Sequence, residues 1–149
     1  MKRYDRLIFV STSDTCRSPM AACLFNAFCE RQGDGKYHAV SAGLQAFPGE
    51  PASNGALRAM ERRGLNLQEH RAQPVTEALV SNACLIVCMS KAHADALRIR
   101  FPLYTDRVCT FSATIPDPFG GDDTVYEQTA QTLEAEVAVV YHLLSAEKK

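Results

Sequence analysis

The chain has no tryptophan, no Cys-x-x-Cys pair and no surplus of either charge, since 16 Lys and Arg face 17 Asp and Glu over 149 residues. Near-neutrality removes the basic field that a general nucleic-acid binder or an acidic-membrane binder needs. The longest apolar run, Ala83–Met89, is far shorter than the ~18 residues of a membrane span. No spanning helix is expected. Near the N-terminus Lys2, Arg3 and Arg6 are interrupted by Asp5, and only Leu7–Val10 are apolar before Ser11. That run is too short for the core of a secretion signal. A cytoplasmic protein without membrane or nucleic-acid partners is expected. Its six cysteines, at 16, 23, 29, 84, 88 and 109, then read as small buried hydrophobes, not as a disulfide framework. The histidines, at 38, 70, 93 and 142, lack metal-ligand spacing, so no metal or other cofactor is expected.

What is present is a globular composition, 46% hydrophobic and 22% charged, in a chain long enough to bury a core without staples. No linker or repeat interrupts it, so 1–149 reads as a single domain. Arg6–Val10 reads as a buried strand that runs into the polar loop Ser11–Thr15. Ser18 as N-cap and Pro19 at the first helical position open a helix that ends at Gly33 and Gly35. Further strands are expected at Tyr37–Ala42, Cys84–Met89 and Arg107–Phe111. Helices are expected at about Ser53–Arg63, Thr76–Ser81, Lys91–Arg100 and Thr124–Leu144. Strands separated by helices imply a parallel α/β sheet, whose ligands gather at the carboxyl ends of the strands. The loop after the first strand is therefore the place to look.

A strand that turns there into a helix N-terminus aims backbone N–H groups and the positive end of the helix dipole at one spot, which suits phosphate. Arg17 at the loop's end can hold two oxygens in a fork, and Ser18 can cap the helix or donate to a group at position 11. The segment Val10-Ser11-Thr12-Ser13-Asp14-Thr15-Cys16-Arg17-Ser18-Pro19 resembles the phosphate loop V-C-x-G-N-x-C-R-S-P of the low-molecular-weight protein-tyrosine phosphatases. Ser41-Ala42-Gly43, Glu69-His70-Arg71-Ala72 and Asp117-Pro118-Phe119-Gly120-Gly121 resemble further motifs of that family, in its order and spacing.

The resemblance implies a three-layer α/β fold with a four-stranded parallel sheet flanked by helices, and two-step phosphomonoester hydrolysis through a phosphocysteine. A thiolate at position 11 would attack phosphorus, while Arg17 and the groups of Thr12, Ser13, Asp14, Thr15, Cys16 and Ser18 would hold the oxygens. Asp117 would protonate the leaving group, and Thr15 and Phe119 would shape the pocket, with Tyr126 a lesser candidate. Cys16 defaults to packing and His70-Arg71 to a structural contact. The implied partners are a protein or peptide carrying phosphotyrosine or phosphoarginine, and inorganic phosphate or sulfate.

The departures fall in the same loop. Position 11 is Ser, Ser13 stands for the family Gly and Asp14 for the family Asn. An alcohol is not ionised by an anion nest as a thiol is, and no histidine lies in this loop to act as base. The chain as written is expected to bind phosphate and barely turn it over. Three departures in one loop favour natural divergence over a laboratory substitution. A left-handed backbone at position 13 would strain Ser, whereas Asp14 tolerates one but places a carboxylate beside the anion. Thr15 resembles the arginine-phosphatase branch, and Asp14, Asp122 and Asp123 are expected to make the mouth acidic and favour a cationic phosphoarginine. Two alternatives stand beside the tyrosine-phosphatase reading: a protein arginine phosphatase, and a pseudo-phosphatase that acts as a phospho-ligand binding module. A thiol-coupled arsenate reductase would need Cys84 and Cys88 to be reactive, and both are expected to be buried and inert.

Overall fold

Leu7, Ile8, Phe9 and Val10 are all fully buried, because their strand lies in the middle of the sheet and is covered on both faces. The computed structural model describes residues 5–147. Lys2 and Arg3, weighed above for a secretion signal, lie outside them. Strand β1 (Asp5–Ser11) pairs with β2 (Tyr37–Gly43) on one side and β3 (Ala83–Cys88) on the other, and β4 (Val108–Thr110) pairs with β3. All pairs are parallel, in the order β2-β1-β3-β4. The helices are α1 (Arg17–Arg31), α2 (Asn54–Glu61), α3 (Glu77–Ser81), α4 (Lys91–Arg100) and α5 (Asp123–Glu147). This is the four-stranded α/β fold that the sequence led us to expect.

The period of two along β1 divides the core. Leu7 and Phe9 join residues of α1, α2 and α5, including Met20, Phe25, Met60 and Leu133. Ile8 and Val10 join Val80 of α3 and Ala94 and Leu97 of α4 on the opposite face. Phe9 lies 5.8 Å, centroid to centroid, from both Phe25 and Phe111, and burying each such ring is worth roughly 1.5–3 kcal/mol. The chain passes from β1 to β2 on one side and then crosses from β2 to β3 on the other side of β1, so the carboxyl end of β1 is a topological switch point, where open α/β sheets form their ligand crevices. Ser11 is the last residue of β1.

Several local expectations change. Helix α1 begins at Arg17, and its N-cap position is Cys16, which makes no side-chain cap. Ser18 is thus inside the first turn, where its hydroxyl has other partners. Ser53, Thr76 and Ser90 do cap α2, α3 and α4, accepting from the N–H groups of Ala56, Leu79 and His93. Arg107, expected in the last strand, closes a 3-10 turn over Pro102–Arg107. Its guanidinium donates to the carbonyls of Ser81 and Ala83 at 3.0 and 3.1 Å. Cys84 is exposed, contrary to expectation, while Cys88 is buried. The physical reason is a register shift: Arg6 opposes Ala83 and Leu7 opposes Leu85, so Cys84 is the bulged residue turned out of the ladder. Among the described residues no helix is long and apolar enough to cross a membrane.

Candidate active site

The loop from Ser11 to Cys16 is held from outside by its carbonyls. Those of Ser11, Thr12 and Thr15 accept from the N–H groups of Leu44, Gln45 and Ser53 at 3.0, 2.8 and 2.9 Å. The carbonyl of Asp14 accepts from His70 Nε2 at 2.7 Å, which fixes the proton of that ring on Nε2. With these carbonyls turned outward, the loop's amides are left for the concave side, at the head of α1. That is the arrangement that receives an oxyanion. His70 therefore has the structural role expected of it.

The loop also depends on the strand beside it. A Cβ on Gly43 would lie 2.6 Å from the carbonyl oxygen of Thr12 and 3.0 Å from the amide nitrogen of Asp14. Both are backbone atoms that cannot rotate away. Gly43→Ala is therefore expected to destabilise the protein by about 1–3 kcal/mol and to weaken phosphate binding. Thermal melting with and without phosphate measures both effects.

Asp14 is the one non-glycine residue among those described with positive φ, at 60°, a conformation that Asp and Asn adopt more readily than others. The strain anticipated at Ser13 falls one residue later, on a side chain that tolerates it. The Asp14 carboxylate is wholly buried and faces away from the mouth. Its Oδ1 accepts from Ser18 Oγ at 2.8 Å and its Oδ2 from the amide of Gln73 at 3.0 Å. Burial pushes its carboxyl above the ordinary range, against the opposing pull of hydrogen bonds from Ser41, Ser18 and Gln73 and of nearby His70. The carboxylate is thus bound inward, through Ser18 and Gln73, and presents no oxygen to solvent at the mouth. Asp123 is paired with Arg58 and Arg62, and Asp122 accepts from the N–H of Val125 at the start of α5.

Ser11 Oγ lies 2.6 Å from Ser18 Oγ. Ser18 neither caps the helix nor donates to position 11: its single proton goes to Asp14. Arg17 is buried, and its Nη1 donates to the carbonyl of Ile115 at 2.9 Å while its Nη2 lies 3.9 Å from Asp117 Oδ2. Burial lowers the guanidinium's pKa from its ordinary value, and Asp117 and Cys16 oppose this. Asp117, whose side chain is 54% exposed, is on the loop between β4 and α5 and accepts from the N–H of Phe119 through Oδ1. Phe119 is 73% exposed. Thr15 is buried, and its hydroxyl lies 3.0 Å from that of Ser13.

His93 and Phe47 escaped the sequence reading, and Cys16 and Tyr126, both named there, have polar partners that it did not foresee. His93, on the first turn of α4, places Nε2 at 2.9 Å from the Thr12 hydroxyl and Nδ1 at 3.0 Å from that of Ser90. Burial, reinforced by Arg17, holds its imidazole below its ordinary pKa. Cys16 Sγ sits 3.2 Å from Ser53 Oγ and 3.4 Å from the hydroxyl of Tyr126, whose pKa burial raises to about 12. Phe47, 77% exposed, is carried by the segment tied to the loop through Gln45 and Ser53. The usable signal was position alone: His93 and Phe47 follow the carboxyl ends of β3 and β2. A cavity of about 660 Å³ lies elsewhere, between α1, β2 and the Leu65–Gln73 segment. A phosphate needs no such volume, because a cup of amides holds it by direct hydrogen bonds.

Comparison with known proteins agrees with this geometry. Residues 6–149 match the family described as low molecular weight phosphotyrosine protein phosphatase. A protein-arginine-phosphatase of Bacillus subtilis (strain 168) is 36% identical over 135 residues, covering 86% of this chain and 89% of the relative. A probable low-molecular-weight protein-tyrosine-phosphatase, EpsP, of Ralstonia nicotianae is 33% identical over 132 residues, covering 86% and 88%. Among solved structures, a YwlE mutant from Bacillus subtilis superposes with a TM-score of 0.90 at 33% identity, covering 95% of this chain and 99% of that one. A YwlE arginine phosphatase with its active-site cysteine replaced by a serine, which is phosphorylated, gives 0.89 at 35% identity, covering 94% and 95%. The chain belongs to the low-molecular-weight protein-tyrosine phosphatase family, with Ser11 at the position of the nucleophilic cysteine.

Proposed function

We propose that this chain, as a single cytoplasmic domain, binds phosphorylated side chains of proteins in the Thr12–Ser18 loop, phosphoarginine in preference to phosphotyrosine. The observation that carries the reading is the loop with its carbonyls turned outward, Ser11 at its base and the buried Arg17 guanidinium reaching toward Asp117. In this reading the loop amides and Arg17 hold the phosphoryl oxygens, with inorganic phosphate or sulfate as simpler occupants. Asp117 gives a proton to the leaving group, and Thr15, Phe119 and Phe47 shape the mouth. The arginine-phosphatase relatives support the choice of phosphoarginine, as does the compact, hydroxyl-bearing Thr15. By analogy with the phosphorylated serine of the YwlE mutant, Ser11 is a phosphoryl acceptor that is slow to discharge. A purely binding, pseudo-phosphatase role is the second reading, favoured by the alcohol at position 11.

The role of Asp117 is tested where the nucleophile is competent. In a Ser11→Cys background, Asp117→Asn should lower kcat by about 100-fold or more, the scale of general acid catalysis. Affinity for phosphate should change little, because this carboxyl serves the leaving group and not the bound oxyanion. Equal kcat for the two forms would reduce the Pro116–Gly121 segment to a turn.

A further inference from the structure

We propose that Ser11, Ser18 and Asp14 form a proton relay that makes Ser11 a phosphoryl acceptor, with the buried Asp14 carboxylate as the base at its far end. The proposal rests on the reading of the loop as a phosphoryl site given above and adds what activates its alcohol. Its warrant is the direction of two hydrogen bonds. Ser18 has one hydroxyl proton and donates it to Asp14 Oδ1 at 2.8 Å. In the 2.6 Å contact between Ser11 and Ser18, Ser11 must then be the donor. The chain of hydroxyls thus runs away from Ser11, toward a carboxylate.

An asparagine at position 14 would reverse that direction. Its amide would keep an oxygen for the Gln73 N–H and turn its NH2 toward Ser18, leaving Ser18 to donate to position 11. That arrangement steadies a thiolate and offers an alcohol no base. Ser11 and Asp14 are therefore matched: the alcohol needs a base, and the carboxylate supplies one. Burial suits Asp14 to the task, because a carboxyl raised above its usual range is a stronger base. His70, 3.8 Å from Oδ2 and bonded to the Asp14 carbonyl, keeps the carboxylate in place. Asp14 touches no reacting atom. It acts through Ser18 as a positioning residue.

The phosphoryl donor is an N-phosphorylated guanidine. As the Ser11 Oγ–P bond forms, the P–N bond breaks and its electron pair passes to the leaving nitrogen, which takes a proton from the Asp117 carboxyl. The Ser11 proton moves to Ser18 Oγ while the Ser18 proton moves to Asp14 Oδ1. In the second half, Asp117 takes a proton from a water that attacks phosphorus. The P–O pair returns to Ser11, which regains its proton from Asp14 through Ser18, and phosphate leaves.

The test mixes the protein with free phosphoarginine, quenches it at intervals and locates phosphoserine by mass spectrometry. The parent should acquire one phosphoryl group at Ser11. Asp14→Asn and Ser18→Ala should each slow this by about 100-fold, while the phosphoarginine concentration giving half the maximal rate changes little. In the Ser11→Cys background Asp14→Asn should instead speed hydrolysis, which also shows that the fold tolerates the substitution. Asp14→Asn leaving the parent's rate unchanged, or slowing both backgrounds alike, overturns the relay. No phosphoserine in a parent whose Ser11→Cys form hydrolyses phosphoarginine also overturns it and leaves the proposed function standing. If neither form acts on phosphoarginine, both fail.

Discussion

Ser11→Cys should raise steady-state hydrolysis of phosphorylated substrates roughly 100-fold or more, the scale of a missing activated nucleophile. The loop amides, the head of α1 and Arg17 place positive potential at position 11, enough to bring a thiol to its thiolate near neutral pH and far too little for an alcohol. The second step gains as well, because a thiolate leaves phosphorus more readily than an alkoxide. The gain is held back by Asp14, which keeps the Ser18 proton for itself. Ser11→Cys combined with Asp14→Asn should therefore exceed Ser11→Cys alone. Initial rates on an aryl phosphate measure all three forms. If the cysteine form is no faster than the parent, the loop lacks the electrostatics attributed to it.

Arg17→Lys should cost phosphate affinity on the order of 10- to 100-fold, the scale of one lost hydrogen bond to a charged group. The charge is retained, but its geometry is not. The guanidinium is buried, tied through Nη1 to the carbonyl of Ile115 and within 3.9 Å of Asp117, so its remaining N–H groups are already oriented when an anion arrives. A lysine ammonium satisfies the Ile115 carbonyl or the oxyanion, and cannot form a planar fork with the latter. Titration of parent and variant with inorganic phosphate checks this, and equal affinities would remove Arg17 from the site.

The parts legible in the sequence were those written in consecutive residues. The apolar run Leu7–Val10, the polar turn after it and the Arg17-Ser18-Pro19 helix entry lie within one short segment. Strand and helix periods there leave few alternatives. Orientation was not legible. Whether Asp14 points into the mouth or away from it depends on Ser18 and on Gln73, which lies 59 residues further along the chain. The contact of His93 with Thr12 spans 81 residues, and that of Tyr126 with Cys16 spans 110. The exposure of Cys84 follows from a bulge at one pair of positions between β1 and β3, which no periodicity announces. Ser18 looked like a cap because Ser-Pro often begins helices. Its hydroxyl serves Asp14 because the loop's left-handed turn at that residue brings the carboxylate within reach.

The most direct measurement is kcat/KM of the Ser11→Cys form on matched peptides carrying phosphoarginine or phosphotyrosine, with and without Thr15→Ile. A preference for phosphoarginine is expected, one that falls or reverses when Thr15 becomes the bulkier, apolar isoleucine, as the proposed role of Thr15 requires. A preference for phosphotyrosine that Thr15→Ile leaves unchanged would contradict it.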